Sequence, residues 1–332
     1  MEAVAARICP DRAITFYGMS PSHARGMLRI TMIVLSLLGL TSEARAQHAA
    51  DSAQVGTWSQ TDWQILSDKV RWAAAQGYDT LPLGSSIAGI ARSFVGTPYM
   101  PGTLEQPGPE RLVINLHELD CVTFVENVLA LTALVRRDGP GVLDDPGAAQ
   151  ARYEAYLRQL RYRGGAVHGY ASRLHYFTDW LREGQSAGRL RLITRELGGE
   201  EEWQRVDFMS AHTGAYAALA DGAAIEAIRD VEHRLNAGPP RIVLSKDRIA
   251  AVTDSIRDGD VIAAASTVPG LDVVHTGFAV WEHGQLHLLH APLKGTTVEI
   301  SVLPLAERIQ AISSQSGIMV ARPQAAWFER HP

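Results

Sequence analysis

The chemistry in this chain could start at one thiol. It lies in the string Asp120-Cys121-Val122-Thr123-Phe124-Val125-Glu126. Val122, Phe124, Val125, Val128 and Leu129 recur at helical spacing, which predicts a buried helix with Asp120 just ahead of it and Cys121 in its first turn. Backbone N–H groups there lack intrahelical partners, and the positive end of the helix dipole favours a thiolate over a thiol. Downstream, Val273-Val274-His275-Thr276-Gly277-Phe278 places one imidazole at the start of a strand, and Leu288-Leu289-His290-Ala291 places another on the next strand. A sulfur nucleophile, a base and a second polar ring to orient that base are the parts that thiol attack on an amide requires.

Strand parity separates the histidines. Side chains alternate along a strand, so His287 and His290 point to opposite faces, while His275 shares a face with the small residues Gly277 and Ala279. The string Glu282-His283-Gly284-Gln285 reads as a hairpin turn. A turn centred there brings His290 opposite residue 277, close enough to hold the ring of His275. His283 falls at the solvated turn. The N–H of Cys121 is the expected donor to an oxyanion.

These groups need elements to position them. Residues 61 to 76 read as an amphipathic helix. A second helix, capped by Ser85-Ser86, is expected to run through Phe94, and Thr97 to Thr103, with its prolines, as an irregular loop. The Cys121 helix is expected to reach about Arg137, ahead of Asp138-Gly139-Pro140. Residues 145 to 240 read as mostly helical. From Pro239 the pattern turns to short strands at Arg241–Leu244, 259–263, Val273–Glu282, Gln285–Ala291 and Val298–Val302. Helices first and a meandering antiparallel sheet second indicate an α+β fold.

The two cysteines are Cys9 and Cys121. Arg25 and Arg29, the apolar stretch from Ile30 to Leu40 and the small-residue site Ala44-Arg45-Ala46 have the layout of a secretory signal over residues 1–46, with Met19 or Met27 a better start than Met1. That stretch is shorter than the roughly 20 residues a membrane span needs, so stable membrane insertion is not expected. Cleavage would leave one thiol and hence no internal disulfide. A net charge of −5 and the lack of a basic cluster argue against a nucleic-acid surface. The expected organisation is a signal at 1–46, an N-terminal extension with a helix at 47–84, and a single domain at 85–322 with a helical insertion at about 140–240.

At this point several strings carry a likeness. Gly96-Thr97-Pro98-Tyr99, Asp120-Cys121-x-x-Phe124-Val125, His275-x-Gly277-Phe278 and Leu289-His290-Ala291 resemble the NlpC-type, papain-like cysteine peptidases of bacterial cell walls. Thr103-Leu104-Glu105, the longer cysteine block and Arg173-Leu174-His175-Tyr176-Phe177-Thr178-Asp179-Trp180 resemble one branch, the secreted N-acetylmuramoyl-L-alanine amidase-like proteins. The resemblance spans roughly 85 to 322. It implies a papain-like fold, in which a helical half carrying Cys121 packs on an antiparallel sheet or partial barrel carrying the histidines. It further implies that Cys121 is the nucleophile, His275 the base and His290 the third polar residue, with Tyr99 beside the thiol. Val122-Thr123 stands where the superfamily often has Ser-Gly, so local substrate contacts need not carry over.

On this reading the chain is an exported, monomeric, cofactor-free hydrolase of peptidoglycan or muropeptides that cuts the lactyl–L-Ala amide bond. The alternatives are a D-glutamyl–diamino acid endopeptidase, a non-catalytic wall-binding module and a zinc amidase using His275, His283, His287 and His290. The last has no HExxH-type spacing, and parity scatters its ligands. Asp120, Glu105, Arg173, His175 and Tyr176 are the further candidates for substrate contact. If residues 173–182 form a helix, Leu174, Phe177 and Leu181 make its buried stripe, with His175 and Asp179 an exposed pair. Two roles stay open for this segment: a helix that caps the core, or a cleft wall in which His175, Tyr176 and Trp180 stack on sugar or peptide.

Overall fold

The computed structural model describes residues 55–293 and 296–329. The segment expected to be a signal, Cys9 and most of the polar lead-in lie outside them. Among the described residues no helix is long and apolar enough to cross a membrane.

The strands of the described residues form one antiparallel sheet of eight, and the helices pack mainly on one face of it. In chain order the strands are β1 (Leu190–Leu192), β2 (Glu200–Glu202), β3 (Arg241–Ser245), β4 (Val261–Ser266), β5 (Val273–Glu282), β6 (Gln285–His290), β7 (Glu299–Ile300) and β8 (Gln315–Pro323). Their spatial order is β2-β3-β8-β4-β5-β6-β7, with β1 also on β8. The α+β reading holds.

Residue parity decides which face each side chain joins. Val261, Ala263, Ala265, Phe278, Val280, Leu289, Met319 and Ala321 meet the larger helical layer. Ile262, Ala264, Ala279, Leu286, Leu288, Ile318 and Val320 pack on the other side against Leu305 and Ile309 of the Leu305–Ala311 helix. β4 is buried on both faces, and its small alanines let the layers approach.

The β5–β6 hairpin keeps the expected register, with Phe278 opposite Leu289 and Glu282 opposite Gln285. His283 (φ 48°) and Gly284 (φ 81°) make the two-residue turn. Left-handed conformation at both central positions matches the twist of the flanking strands.

Three elements differ from expectation for physical reasons. The second helix spans Leu83–Arg92 behind Pro82, and Ser86 is buried within it rather than capping it. Its hydroxyl accepts from Arg136 Nη1 at 3.0 Å. The helix expected from Arg173 begins at Phe177. Its cap comes from 94 residues away, where Asp272 Oδ2 accepts the N–H of Thr178 at 2.6 Å. The alternation pattern does not predict β8, because Ile318-Met319-Val320-Ala321 is a continuous apolar run. Such a run marks a strand covered on both sides, and β8 pairs with β1, β3 and β4.

The Gln60–Ala75 helix places Leu66, Val70 and Ala73 in the same core as the Cys121 helix. The middle region carries the Pro146–Arg161, Phe177–Ser186 and Gly222–Ala237 helices. It also supplies β1 and β2, so it is joined to the sheet edge as well as to the helical layer.

Candidate active site

Cys121 is the first residue of the Cys121–Ala133 helix, which runs on through a π-turn to Asp138. The start is fixed locally. Asp120 Oδ1 accepts the N–H groups of Val122 (3.1 Å) and Thr123 (2.8 Å), and Thr123 Oγ1 accepts the N–H of Asp120 at 2.9 Å. This reciprocal capping box satisfies donors that would otherwise be orphaned.

The body of the helix is held by buried polar bonds. Arg161 Nε donates to Glu126 Oε2 at 2.7 Å, with both side chains nearly fully covered, and Tyr153 donates to Asn127. Phe124 meets the ring of Phe278 edge-on at 5.7 Å, which ties the helix to β5.

The histidines come from the sheet. His275 Nε2 lies 2.8 Å from His290 Nδ1, and the rings are nearly perpendicular. Gly277 makes the approach possible. A Cβ there would lie 2.5 Å from the Leu289 carbonyl oxygen and 2.9 Å from His290 Cβ. His287 instead bonds the Ser301 carbonyl through Nδ1, and His283 is exposed at the turn. The four downstream histidines therefore do not converge.

Cys121, His275, Tyr99 and Asp120 line one cleft of about 290 Å³. Tyr99 is held there by its backbone, which bridges Leu119 on one side while neighbouring Pro98 bridges Thr297 on the other. The loop expected to be irregular is thus pinned beside the Cys121 helix, and burial, with the neighbouring Cys121 and the Asp120 carboxylate, keeps the Tyr99 phenol protonated.

The electrostatics depart from the expected thiolate. Burial, then the Asp120 carboxylate, push the Cys121 thiol up to about 12, while N–H groups of Thr276, Cys121 and Val122 directed at the sulfur pull the other way. Burial and the charge of Arg308 lower His290 to about 3. His275 falls well below the usual histidine range through burial, His290 and Arg308. The resting site therefore holds a neutral thiol and neutral imidazoles.

Other candidates take different places. Arg173 Nη2 donates to Glu105 Oε1 at 2.7 Å, and Arg173 also pairs with Glu110 at 3.1 Å. Neither Glu105 nor Arg173 lines the cleft; they satisfy each other because both are drawn into the fold. His175 lines it, but its Nε2 donates to the Tyr170 carbonyl at 2.8 Å. Asp179 pairs with Arg163 rather than His175. Tyr176 also borders the cleft, yet its hydroxyl donates to Glu232 Oε1 at 2.7 Å and accepts from Met209 N–H at 2.9 Å. Trp180 is buried and stacked on Phe177, so it offers no face to a sugar.

The sequence reading passed over Arg308 and Gln315, which line the same cleft. A signal existed for Arg308: it stands three residues after Leu305 and beside Ile309, on the apolar side of a short helix.

An α+β fold thus brings a helix-start cysteine and His275 to one cleft, with His290 bonded behind His275. Residues 89–318 match the AmiA-like family, described as N-acetylmuramoyl-L-alanine amidase-like, and the chain belongs to that family. An N-acetylmuramoyl-L-alanine amidase from Bacteroides uniformis is similar over 73% of this chain and 98% of its own, at 33% identity and a TM-score of 0.65. A putative xylanase from Bacteroides fragilis covers 70% and 98%, at 34% identity and a TM-score of 0.63. A Legionella pneumophila protein, 18% identical with a TM-score of 0.57 over 79% of this chain and 95% of its own, shares the fold. A search of curated proteins gave no match.

Proposed function

We propose that the protein is an exported cysteine amidohydrolase of peptidoglycan, of the papain-like NlpC type, that cuts the amide between the lactyl group of muramic acid and L-Ala. One observation carries the chemistry. The 2.8 Å bond between His275 Nε2 and His290 Nδ1 occupies one side of the base and leaves Nδ1 for the thiol in the shared cleft. The amidase named among the structural neighbours supports the choice of bond, and the segment from Arg25 to Ala46 supports export.

The proton inventory follows from the neutral resting state. His275 carries its proton on Nε2, donated to His290, and its free Nδ1 takes the thiol proton as the sulfur attacks the lactyl carbonyl carbon. The backbone N–H of Cys121 donates to the oxyanion. Collapse breaks the C–N bond, His275 returns the proton to the leaving L-Ala amine, and a thioester remains. Water, deprotonated by His275, then releases the lactate carboxylate and the thiol. Tyr99 stands beside the sulfur, where its protonated hydroxyl can bond the substrate.

A glycosidase reading, prompted by the neighbour named a putative xylanase, lacks its machinery. Glycoside hydrolysis uses two free carboxyl groups. The cleft carboxylates are Asp120, committed to its cap, and Asp272, whose two oxygens accept from Thr178 and Val273 N–H groups.

Mass spectrometry of products from defined muropeptides tests the proposal. Release of free glycan and intact stem peptide, abolished in Cys121→Ala, is the expected result. A stem shortened after D-Glu would replace the amidase with an endopeptidase. Undiminished activity in Cys121→Ala would refute the thiol mechanism.

A further inference from the structure

The Leu305–Ala311 helix buries Leu305 and Ile309 against the sheet and carries Arg308 between them. Arg308 is thereby drawn into the wall of the cleft that holds Cys121 and His275. Its Nη1 is buried and makes no hydrogen bond. By contrast Arg161, Arg173 and Arg241 each hold a carboxylate. A guanidinium N–H removed from water and left unpaired is costly, and an anionic acceptor would remove that cost.

The cleft offers no such acceptor of its own. Asp120 is engaged in its helix cap and Asp272 by two backbone N–H groups. Glu299 is the carboxylate whose charge Arg308 feels most, and no ion pair joins the two. His175, His275 and His290 are all held towards their neutral forms. Among the described lining residues Arg308 is the one lysine or arginine. A second unpaired atom lies in the same wall: Gln315 Oε1 is buried and has no donor.

We propose that Arg308 is a specificity-determining residue that binds a carboxylate in the stem peptide of the substrate, with Gln315 accepting a neighbouring amide N–H. This rests on the amidase reading above, which also says which carboxylate it is. The carboxyl of muramic acid is consumed in the scissile amide, so the glycan side brings no free anion there. On the leaving side, a D-Glu linked through its γ-carboxyl keeps its α-carboxylate, directly beside an amide N–H. That group lies about 7 Å beyond the scissile carbonyl, two residues' reach of extended chain. The pairing requires a planar fork rather than a point charge, which is what a guanidinium supplies. The enzyme would therefore prefer stems with D-Glu over stems in which the same carboxylate is amidated to D-isoglutamine.

The test is calorimetric binding to full-length Cys121→Ala protein. The two probes are N-acetylmuramoyl-L-Ala-D-Glu and N-acetylmuramoyl-L-Ala-D-isoglutamine, each with its γ-carboxyl blocked as the methylamide, so that they differ only in the charge at issue. The carboxylate probe is expected to bind roughly ten- to a hundredfold tighter. Arg308→Gln on the same background should reduce it to the level of the amide probe, and Arg308→Lys should retain part of the preference.

Equal affinities for the two probes would overturn the proposal, without relying on any variant at position 308 folding. So would a preference that survives Arg308→Gln, or a loss of the same size for both probes, which would make Arg308 a structural part of the wall. Cleavage by the unsubstituted enzyme separates this from the amidase reading. Preferential binding without cleavage at L-Ala refutes the bond assignment and supports the anchor. Cleavage of both probes with no KM difference supports the amidase and refutes the anchor.

Discussion

The two walls of the cleft are held in place by different kinds of information. The thiol wall is local: Asp120, Cys121 and Thr123 fix the helix start within four residues. The histidine wall is long-range. His275 meets His290 only because a hairpin register, a glycine and a two-residue turn agree. Local devices are worth about 1 kcal/mol each, whereas a buried register cannot slip by one residue without turning its whole pattern inside out. The thiol wall should therefore be weakest where its helix is anchored at a distance, and the histidine wall where its close packing or its neutral charge state can be upset.

The largest effect is expected at that distant anchor. Arg161→Ala leaves Glu126 buried without its partner beneath the Cys121 helix, and breaking such a pair costs about 3–5 kcal/mol. Urea unfolding should show it. A loss below about 1 kcal/mol would mean that the neighbouring bonds of Asn127 and Thr123 hold the helix by themselves.

Acid probes the other wall. His290, at about 3, and His275 have folded pKa values below the ordinary 6.5. Between those limits the unfolded chain binds more protons, so stability is full above about pH 6.5 and falls as pH drops towards 3. Urea midpoints measured from pH 7 down to 4 should decline, and His290→Gln should flatten the decline. An unchanged slope in that variant would assign the acid sensitivity to other groups. The same neutral states predict that the acid limb of kcat/KM lies below the pH at which a free histidine would titrate.

Gly277→Ala comes next. Its methyl would press on the Leu289 carbonyl and on His290, and overpacking of this kind costs roughly 1–3 kcal/mol. The distinguishing feature is a fall in kcat with little change in KM, since the proposed base is displaced and the rest of the cleft is not. Loss of stability with kcat intact would show that the imidazole pair tolerates a wider gap.

The same division explains what could be read in advance. The cap-and-apolar pattern around Cys121 and the β5–β6 register were legible, because each follows from spacing over a few residues. The start of the Phe177 helix was not, since its cap is Asp272. Nor was β8, whose unalternating apolar run is equally consistent with a buried helix. The pairing of Arg173 with Glu105, and the orphaned Nη1 of Arg308, depend on chain segments far apart in sequence. Charge type at those positions said that a partner was needed and left its identity open.

The smallest expected effect sharpens the comparison most. Asp120 both caps the thiol helix and raises the thiol, because its carboxylate sits beside a sulfur that must become negative in order to react. These two roles separate in Asp120→Asn, which keeps an oxygen to accept from Val122 and Thr123 but removes the charge. Asn caps about as well as Asp, so stability should change by less than about 0.5 kcal/mol. With the carboxylate gone the thiol titrates lower than about 12, and alkylation of Cys121 by iodoacetamide at fixed alkaline pH should quicken. Asp120→Ala should quicken it too, at a further cost of about 1 kcal/mol for the lost cap. Alkylation no faster in the Asn variant would mean that burial alone sets the thiol, and that the acid ahead of it serves only the helix.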